Sequence, residues 1–503
     1  MRTTLLLILL CSALAANAQS PLIVKDSWPG ATGISPIRLL TYDDRLCFHA
    51  GDGMHGIELW EYLDQDTPKM VADIYPGGNS SGSCPEDDHM VVFGNKLYFQ
   101  SATWDSVLGR PTGDELFVYD RVSAPKLVYQ LGIRPPGSNP NGLIVAGSKL
   151  FFLADSNNNG YYLYSYDGST APRVYPIKPD YMGIPSRSLG EYNNNLFFSY
   201  DSLNGKGKEL YTLNPVTNTW KMIADINPGP LGSLPSGWLT AWNKLFFIAS
   251  DSTYGRELYS YDGKTVKRLT DLAPGTKNSM AGTFHRLIAY KGAIYFNGSA
   301  TGTSSPQELY KWDSATGIAI KISPAGLDLV NNFRPVVFNS ELYFYGKTSA
   351  TGCEVWKYDG TTCKMVTDLN PGTADGKSMG ELAVYKDVLY FSGNNGKTGF
   401  ELYRIYPSTN SVTSVKWQGK AVVYPNPANT FATLSITLPF AQLLRVSLMD
   451  VSGREVFNSG LNSLNAGTSE IRLPIANLGA GQYFYRIDDG KGLALAQGSL
   501  IRL

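Results

Sequence analysis

A short Glu-Leu-aromatic segment recurs along this chain at near-constant intervals, and that recurrence limits the fold more than any other feature. It begins at Glu58, Glu115, Tyr162, Glu209, Glu257, Glu308, Glu354 and Glu401, with spacings of 57, 47, 47, 48, 51, 46 and 47 residues. Periods of roughly 20–50 residues mark repeat architectures, in which each unit buries its apolar surface only against its neighbours. The stretch from Ser250 to Gly275 shows the unit most clearly. Glu257 to Tyr261 alternates like a strand, Asp262-Gly263-Lys264-Thr265 carries turn chemistry, Val266 to Leu272 is a second strand, and Ala273-Pro274-Gly275 breaks it.

Each copy follows an apolar strand, such as Leu245-Phe246-Phe247 or Leu389-Tyr390-Phe391, which itself follows a turn-prone tetrad such as Phe93-Gly94-Asn95-Lys96. Gly and Asn tolerate the positive φ of a tight hairpin, so a further short strand must enter each turn. The unit is therefore four antiparallel strands: a (Gly237 to Trp242), b (Leu245 to Ser250), c (Glu257 to Tyr261) and d (Val266 to Leu272). In strand b, Leu245, Phe247 and Ala249 point one way and Phe246 and Ile248 the other, so both faces of the sheet need cover. A ring of radially packed sheets supplies it.

The expected fold is all-β: an eight-bladed propeller of four-stranded antiparallel blades, with seven blades as the alternative, followed by a small Ig-like β-sandwich. Ile23 to Asp26, followed by Trp28-Pro29-Gly30, reads as a strand d that completes the eighth blade beside Glu401 to Tyr406, in competition with Val412 to Trp417. The expected boundaries are a signal peptide at 1–18, the propeller at 19–417, a linker at 418–422 and the C-terminal unit at 423–503.

The signal-peptide reading rests on Arg2, the apolar run Leu5 to Leu10 and the small-residue site Ala16-Asn17-Ala18. No later segment is long and apolar enough to span a bilayer. With 43 basic and 43 acidic residues there is no net field to draw nucleic acid or an anionic membrane. Past the leader the cysteines are Cys47, Cys84, Cys353 and Cys363. Cys353 and Cys363 flank one hairpin, although their register about Asp359-Gly360 does not set them plainly opposite, and a disulfide between them stays open.

The repeats resemble the bacterial ELWxxDGT repeat family, most closely at Glu257 to Gly263 and at Glu354-Val355-Trp356-Lys357-Tyr358-Asp359-Gly360-Thr361. The resemblance spans about residues 20 to 417 and implies a propeller-like surface protein, with no catalytic residues to carry over. The third unit departs from it at Tyr162, and the sixth at Asp313-Ser314, so a different turn is expected there.

Beyond Gln418 the rhythm stops. Tyr424-Pro425-Asn426-Pro427-Ala428, the run Val446 to Gly453, and Leu478 to Ile487 with Gly479, Gly481 and Tyr483 resemble the C-terminal type A sorting domain of the type IX secretion system of Bacteroidetes. That resemblance implies passage through the periplasm and the outer membrane, secretion machinery as a partner, and a secreted or cell-surface destination.

For chemistry the repeats offer three patterns. The strand-c glutamates read as structural acceptors of turn amides, with a ring of metal-binding carboxylates as the rival. Asp26, Asp73, Asp225, Asp271 and Asp368 recur near a Pro-Gly breaker and are expected to bond the following turn, with calcium as the alternative. No other cofactor is expected. His49, His55, His89 and His285 are scattered and read as packing or surface residues. In an up-and-down blade the b–c and d–a connections share a face, and loops on a rigid scaffold carry binding. The long b–c loop Ser101 to Gly113 breaks the repeat, so Trp104, Asp105 and Arg110, with Trp28 and Tyr254, form the candidate binding rim. The function expected is non-enzymatic recognition or adhesion toward an extracellular glycan or surface protein. The alternatives are a glycan-cleaving propeller enzyme or a structural cell-surface component.

Overall fold

The computed structural model describes residues 21–503 except 31, 65–66, 77–89, 106–108, 133–136, 158, 180–188, 281–285, 303–305, 330–332, 377–380, 408–419, 439–441, 452–453, 466 and 489–493. The proposed leader, Cys84, His89, His285 and Val412 to Trp417 lie outside the described residues. Two compact units are present, 1–407 and 408–503.

Among the described residues the first unit holds eight four-stranded antiparallel sheets. Sheets I to VII run, from strand a to strand d, from Ile37–Tyr42 to Lys69–Met70, Met90–Phe93 to Lys126–Tyr129, Asn141–Ala146 to Arg173–Val174, Leu189–Tyr192 to Thr219–Ala224, Ser236–Ala241 to Val266–Arg268, Ile288–Tyr290 to Ala319–Lys321, and Val336–Phe338 to Cys363–Met365. Sheet VIII takes Ala383–Tyr385, Val388–Asn394 and Phe400–Ile405, and its fourth strand is the N-terminal Leu22–Ile23. Leu22 pairs with Arg404 and Ile23 with Tyr403, and the Val24 amide continues the ladder to Leu402 O at 2.8 Å.

The alternation in strand b decides how the sheets pack. Leu245, Phe247 and Ala249 of sheet V join Tyr192, Phe197 and Leu210 of sheet IV, while Phe246 and Ile248 join Ile294 and Phe296 of sheet VI. Every successive pair shares such a cluster, and Leu46, Phe48 and Tyr62 of sheet I meet Tyr385, Val388 and Tyr390 of sheet VIII, so the cycle closes. The result is a propeller-like all-β unit in which both faces of each sheet are covered.

One expectation changes. Strand d of sheet V ends at Arg268 rather than Leu272, because Thr270 and Leu272 turn inward to bond Glu257. The disulfide that spacing left open is not made: Cys353 pairs across strands with Lys347 and Cys363 with Tyr358, and neither sulfur is in a disulfide. In the second unit the strand Lys420–Tyr424 begins within the stretch read as linker.

The sixth repeat does turn differently. Asp313 caps Ala315 and Thr316, and the loop carries Gly317 at φ +71° before the Asp313 amide donates to Ile318 O at 3.0 Å.

The second unit is a sandwich of a three-stranded and a four-stranded antiparallel sheet over one core. Leu434 and Ile436 of Phe431–Leu438 face Val446 and Leu448 of Gln442–Met449 and Ile487 of Gly481–Asp488. Strands Glu455–Leu464, Gly467–Pro474 and Ala494–Arg502 complete it.

Candidate functional site

The strand-c glutamates set the geometry of the long-loop face. Glu58, Glu115, Glu209, Glu257 and Glu401 have no exposed surface, and Glu354 has 1%. A carboxylate buried in this way must be hydrogen-bonded or protonated. Each one reaches from the start of strand c to the d–a connection of its own sheet. Glu209 accepts from the Ile226 amide at 2.8 Å, the Asn227 amide at 3.2 Å and the Ser233 hydroxyl at 2.5 Å. Glu115 accepts from the amides of Gly132 (2.8 Å), Ser138 (3.2 Å) and Leu131 (3.3 Å), from Gln130 Nε2 (2.8 Å) and from the Ser138 hydroxyl. Glu257 and Glu354 each take a Thr hydroxyl at 2.6 Å, from Thr270 and Thr367.

These bonds change the role expected of two of the recurrent aspartates, Asp225 and Asp271. The turn amides donate to the longer glutamates, while Asp225 pairs with Lys206 at 3.0 Å and Asp271 with Arg268 at 3.7 Å. Burial pushes Glu115, Glu209, Glu257 and Glu354 above the usual carboxylate range against the pull of their hydrogen bonds, and lifts Glu401 to about 7. In the third repeat Tyr162 replaces the glutamate, and Lys178 lies 4.6 Å over its ring. Glu308 of the sixth is less buried and pairs with Lys321.

A second recurrent device escaped the sequence reading. A glycine stands two residues before the glutamate in most repeats, at φ +67° for Gly255. A Cβ there would lie 2.1 Å from Lys277 O, so the backbone of the d–a connection passes directly against strand c. The Gly-x-Glu-Leu spacing is visible in the sequence and is the signal that would have found it.

The rim residues are spread over this face. Trp28 lies in the connection from sheet VIII to sheet I and packs over Gly53, where a Cβ would come within 2.1 Å of its ring; its amide donates to Glu401 at 3.3 Å. Tyr254 sits in the b–c loop of sheet V under the Arg268 guanidinium, 3.5 Å from its ring centroid. Trp104-Asp105 pairs with Arg110-Pro111 as a small two-stranded ribbon in the b–c loop of sheet II, and Trp104 is 50% exposed. The base of that ribbon is tied down: Thr112 N donates to Thr103 O at 2.9 Å, and the Thr103 hydroxyl to Ile74 O, whose own amide is held by Glu58. Trp28 and Trp104 thus belong to neighbouring parts of the ring, and sheets III and IV separate Tyr254 from them.

Of the histidines, His49 is buried, and His55 Nδ1 lies 2.7 Å from Asp52 Oδ2, which holds the imidazole above its ordinary value. No group of three or more His, Cys, Asp or Glu side chains suited to a metal ion occurs among the described residues.

First-strand residues of sheets III to V and the segment entering sheet VI line about 500 Å³, with Trp238, Glu191 and Arg286 among apolar walls. Trp238 lies over Gly190, where a Cβ would meet its Cγ at 2.5 Å.

In the second unit the sorting-motif residues act as ties. Asn426 Nδ2 donates to Ser499 O at 3.0 Å and its Oδ1 accepts from Ile501 N at 2.9 Å, so this side chain extends the last strand's ladder. Tyr424 and Pro425, and Asn426 and Pro427, are joined by cis peptide bonds, and the Tyr424 hydroxyl reaches Glu470. Tyr483 donates to Gly479 O at 2.9 Å across the turn that holds Gly481. Asn426→Ala removes both ties to the last strand and is expected to cost about 0.5–1.5 kcal/mol, lowering the melting transition of this unit by about 3 °C or more. An unchanged transition in a thermal scan would contradict that role.

Residues 422–497 match the family described as Secretion system C-terminal sorting domain. Comparison with curated proteins found no match. Among solved structures, the chain is similar to PorZ, described as an essential bacterial surface component of the type-IX secretion system of Porphyromonas gingivalis. The identity is 13% and the TM-score 0.41, over 91% of this chain and 64% of that one, so this chain spans under two thirds of PorZ. It is similar to the BP39L lectin from Burkholderia pseudomallei at 11% identity and TM-score 0.40, over 71% and 99% of the two chains. It is also similar to the β-propeller domain of the Trilobed protease from Pyrococcus furiosus, at 12% and 0.39, over 66% and 98%. At these TM-scores none of the three adds to what the sheets themselves show. No helix among the described residues is long and apolar enough to cross a membrane. The C-terminal unit carries a type IX secretion sorting domain, which marks the chain for export to the cell surface or beyond.

Proposed function

We propose that the first unit is an eight-bladed propeller of the ELWxxDGT type that acts outside the cell as a non-enzymatic recognition module, contacting a glycan or surface protein through its b–c and d–a loops. The observation that carries this reading is the Trp104 ribbon. It is the b–c loop that departs from its repeats, its base is anchored through Thr103 and Ile74 to a buried glutamate, and it holds a tryptophan half in solvent. A large rigid aromatic on a fixed support loses little entropy on binding, which is how interface anchors work. The buried glutamates keep the surrounding loops in one arrangement, so the face is organised before any partner arrives.

The test is binding of the purified chain to a panel of glycans and bacterial surface proteins, beside Trp104→Ala. Selective binding weakened at least tenfold by the substitution, about 1.4 kcal/mol, is the expected result. Equal binding by both proteins would remove Trp104 and its ribbon from the recognition surface.

A further inference from the structure

The blades do not close equally on the opposite face, where the a–b and c–d turns emerge. Between sheets I and II the wedge is filled by charge. Arg45 Nη1 lies 2.6 Å from Glu61 Oε2, and the Tyr119 hydroxyl of sheet II donates to the same carboxylate at 2.9 Å, beneath the ring pair Tyr42–Tyr119 at 6.3 Å. Sheet VII repeats the device with reversed signs, Lys357 to Glu341 at 2.9 Å.

Sheet IV has neither charge. Cross-strand register puts Thr212 opposite Phe197 as Glu61 is opposite Cys47 and Lys357 opposite Tyr343. Asn195 precedes the strand-b leucine as Arg45 and Glu341 do. The aromatic pair is retained, Tyr192 with Tyr261 at 6.1 Å and Phe197 at 5.8 Å from Tyr261, but Tyr261 turns its hydroxyl to Gly263 O at 2.9 Å instead of to a carboxylate. Short neutral side chains where sheets I and VII place an ion pair leave the wedge between IV and V open, with about 510 Å³ of space.

We infer that this wedge is a saccharide-binding site, separate from the long-loop face and independent of the reading of that face. Its floor is Tyr192, Phe197 and Tyr261, apolar cover for the C–H face of a sugar ring. Its wall alternates donors and acceptors. Asn214 Oδ1 is occupied by the amides of Val216 (2.9 Å) and Thr217 (3.0 Å), which leaves its Nδ2 to donate. Asn195 spends its Nδ2 on Asn193 O at 2.8 Å and keeps Oδ1 as an acceptor. The Thr212 hydroxyl donates to Leu196 O at 3.0 Å and keeps lone pairs to accept. Vicinal hydroxyls need such a mixture, since each both donates and accepts. Lys221, exposed at the mouth, adds a cation that suits a uronate carboxylate.

The experiment is saturation-transfer NMR and calorimetry of the full chain with mannose, galactose and galacturonate. The comparison variant, Asn195→Arg with Thr212→Glu, rebuilds in sheet IV the pair that sheet I already accommodates. Expected are sugar signals in the parent chain, an affinity reduced at least tenfold in the filled variant, and no change in Trp104→Ala, which isolates this site from the long-loop face. Stronger binding of galacturonate than galactose, lost in Lys221→Ala, assigns the acidic sugar as ligand; equal binding assigns a neutral one. If the double variant does not fold, Thr212→Val, which removes one hydroxyl and keeps the volume, should still weaken binding several-fold. No detectable binding of any of the three sugars, or binding untouched by both variants, overturns the inference.

Discussion

Glu115→Ala is expected to destabilise the first unit by about 3–5 kcal/mol, the size associated with removing one partner from a buried charged network. The substitution leaves the amides of Leu131, Gly132 and Ser138 and the side chains of Gln130 and Ser138 facing a void in place of a carboxylate. Each abandoned buried donor costs about 1–3 kcal/mol less whatever water recovers. The alternative view, that Glu115 is a strained carboxylate whose removal relieves the fold, predicts the opposite sign. Its raised proton affinity shows that burial does cost something, yet five donors aimed at one side chain outweigh it. Unfolding by urea, followed by tryptophan fluorescence, decides between them. A loss below about 1 kcal/mol would mean that the d–a connections are held by something other than the glutamates.

The same network explains how far the fold could be read from the sequence. Strand b showed its two apolar faces openly: Leu245 and Phe247 do pack on sheet IV, and Phe246 and Ile248 on sheet VI. A short-range pattern of period two needs no tertiary knowledge, because the pleat alone assigns the faces. The closing strand at Leu22–Ile23 was legible for the same reason, as a copy of strand d out of place. The outward ends of strands d were not legible. Thr270 and Leu272 continue the apolar alternation, but Glu257 draws them out of the ladder, and a competing side-chain acceptor leaves no mark on periodicity.

The candidate sites follow the same division. Trp104 stood out because its loop breaks the repeat. The open wedge of sheet IV did not, because Asn195 and Thr212 are unremarkable polar residues until their register is compared with Arg45 and Glu61. A deletion of charge inside a repeat is visible only once the repeats are aligned strand by strand. Cys363 gives the converse case. Sequence spacing left a disulfide open, and register closed it by pairing Cys363 with Tyr358 rather than Cys353.

Stability of the first unit is expected to fall as pH rises from about 5 to 8, with Glu401 the largest single contributor. Its folded-state pKa of about 7 lies above the ordinary value of 4.5, so the folded chain holds this proton more tightly than the unfolded one. The resulting stabilisation is complete below about pH 4.5 and is lost as pH rises through 7. At about 1.36 kcal/mol per unit, the full loss is up to roughly 3 kcal/mol, and the raised values of Glu209, Glu257 and Glu354 add in the same direction. Exposed caps such as Asp120, held at about 2 by the Ser123 and Val122 amides, act the other way, but only as pH falls below about 4. Glu401→Gln should flatten the profile, since an amide keeps the Oε1 that accepts from Trp28 and Ile34 at 3.3 Å and cannot ionise. Melting temperatures at pH 5.5 and 8 for both proteins check this, and a parent chain no less stable at pH 8 would refute it. The position matters because those two amides belong to the segment that follows the N-terminal strand. Ionisation of Glu401 therefore acts at the seam where sheet VIII borrows Leu22–Ile23, and the ring should open there first as the pH is raised.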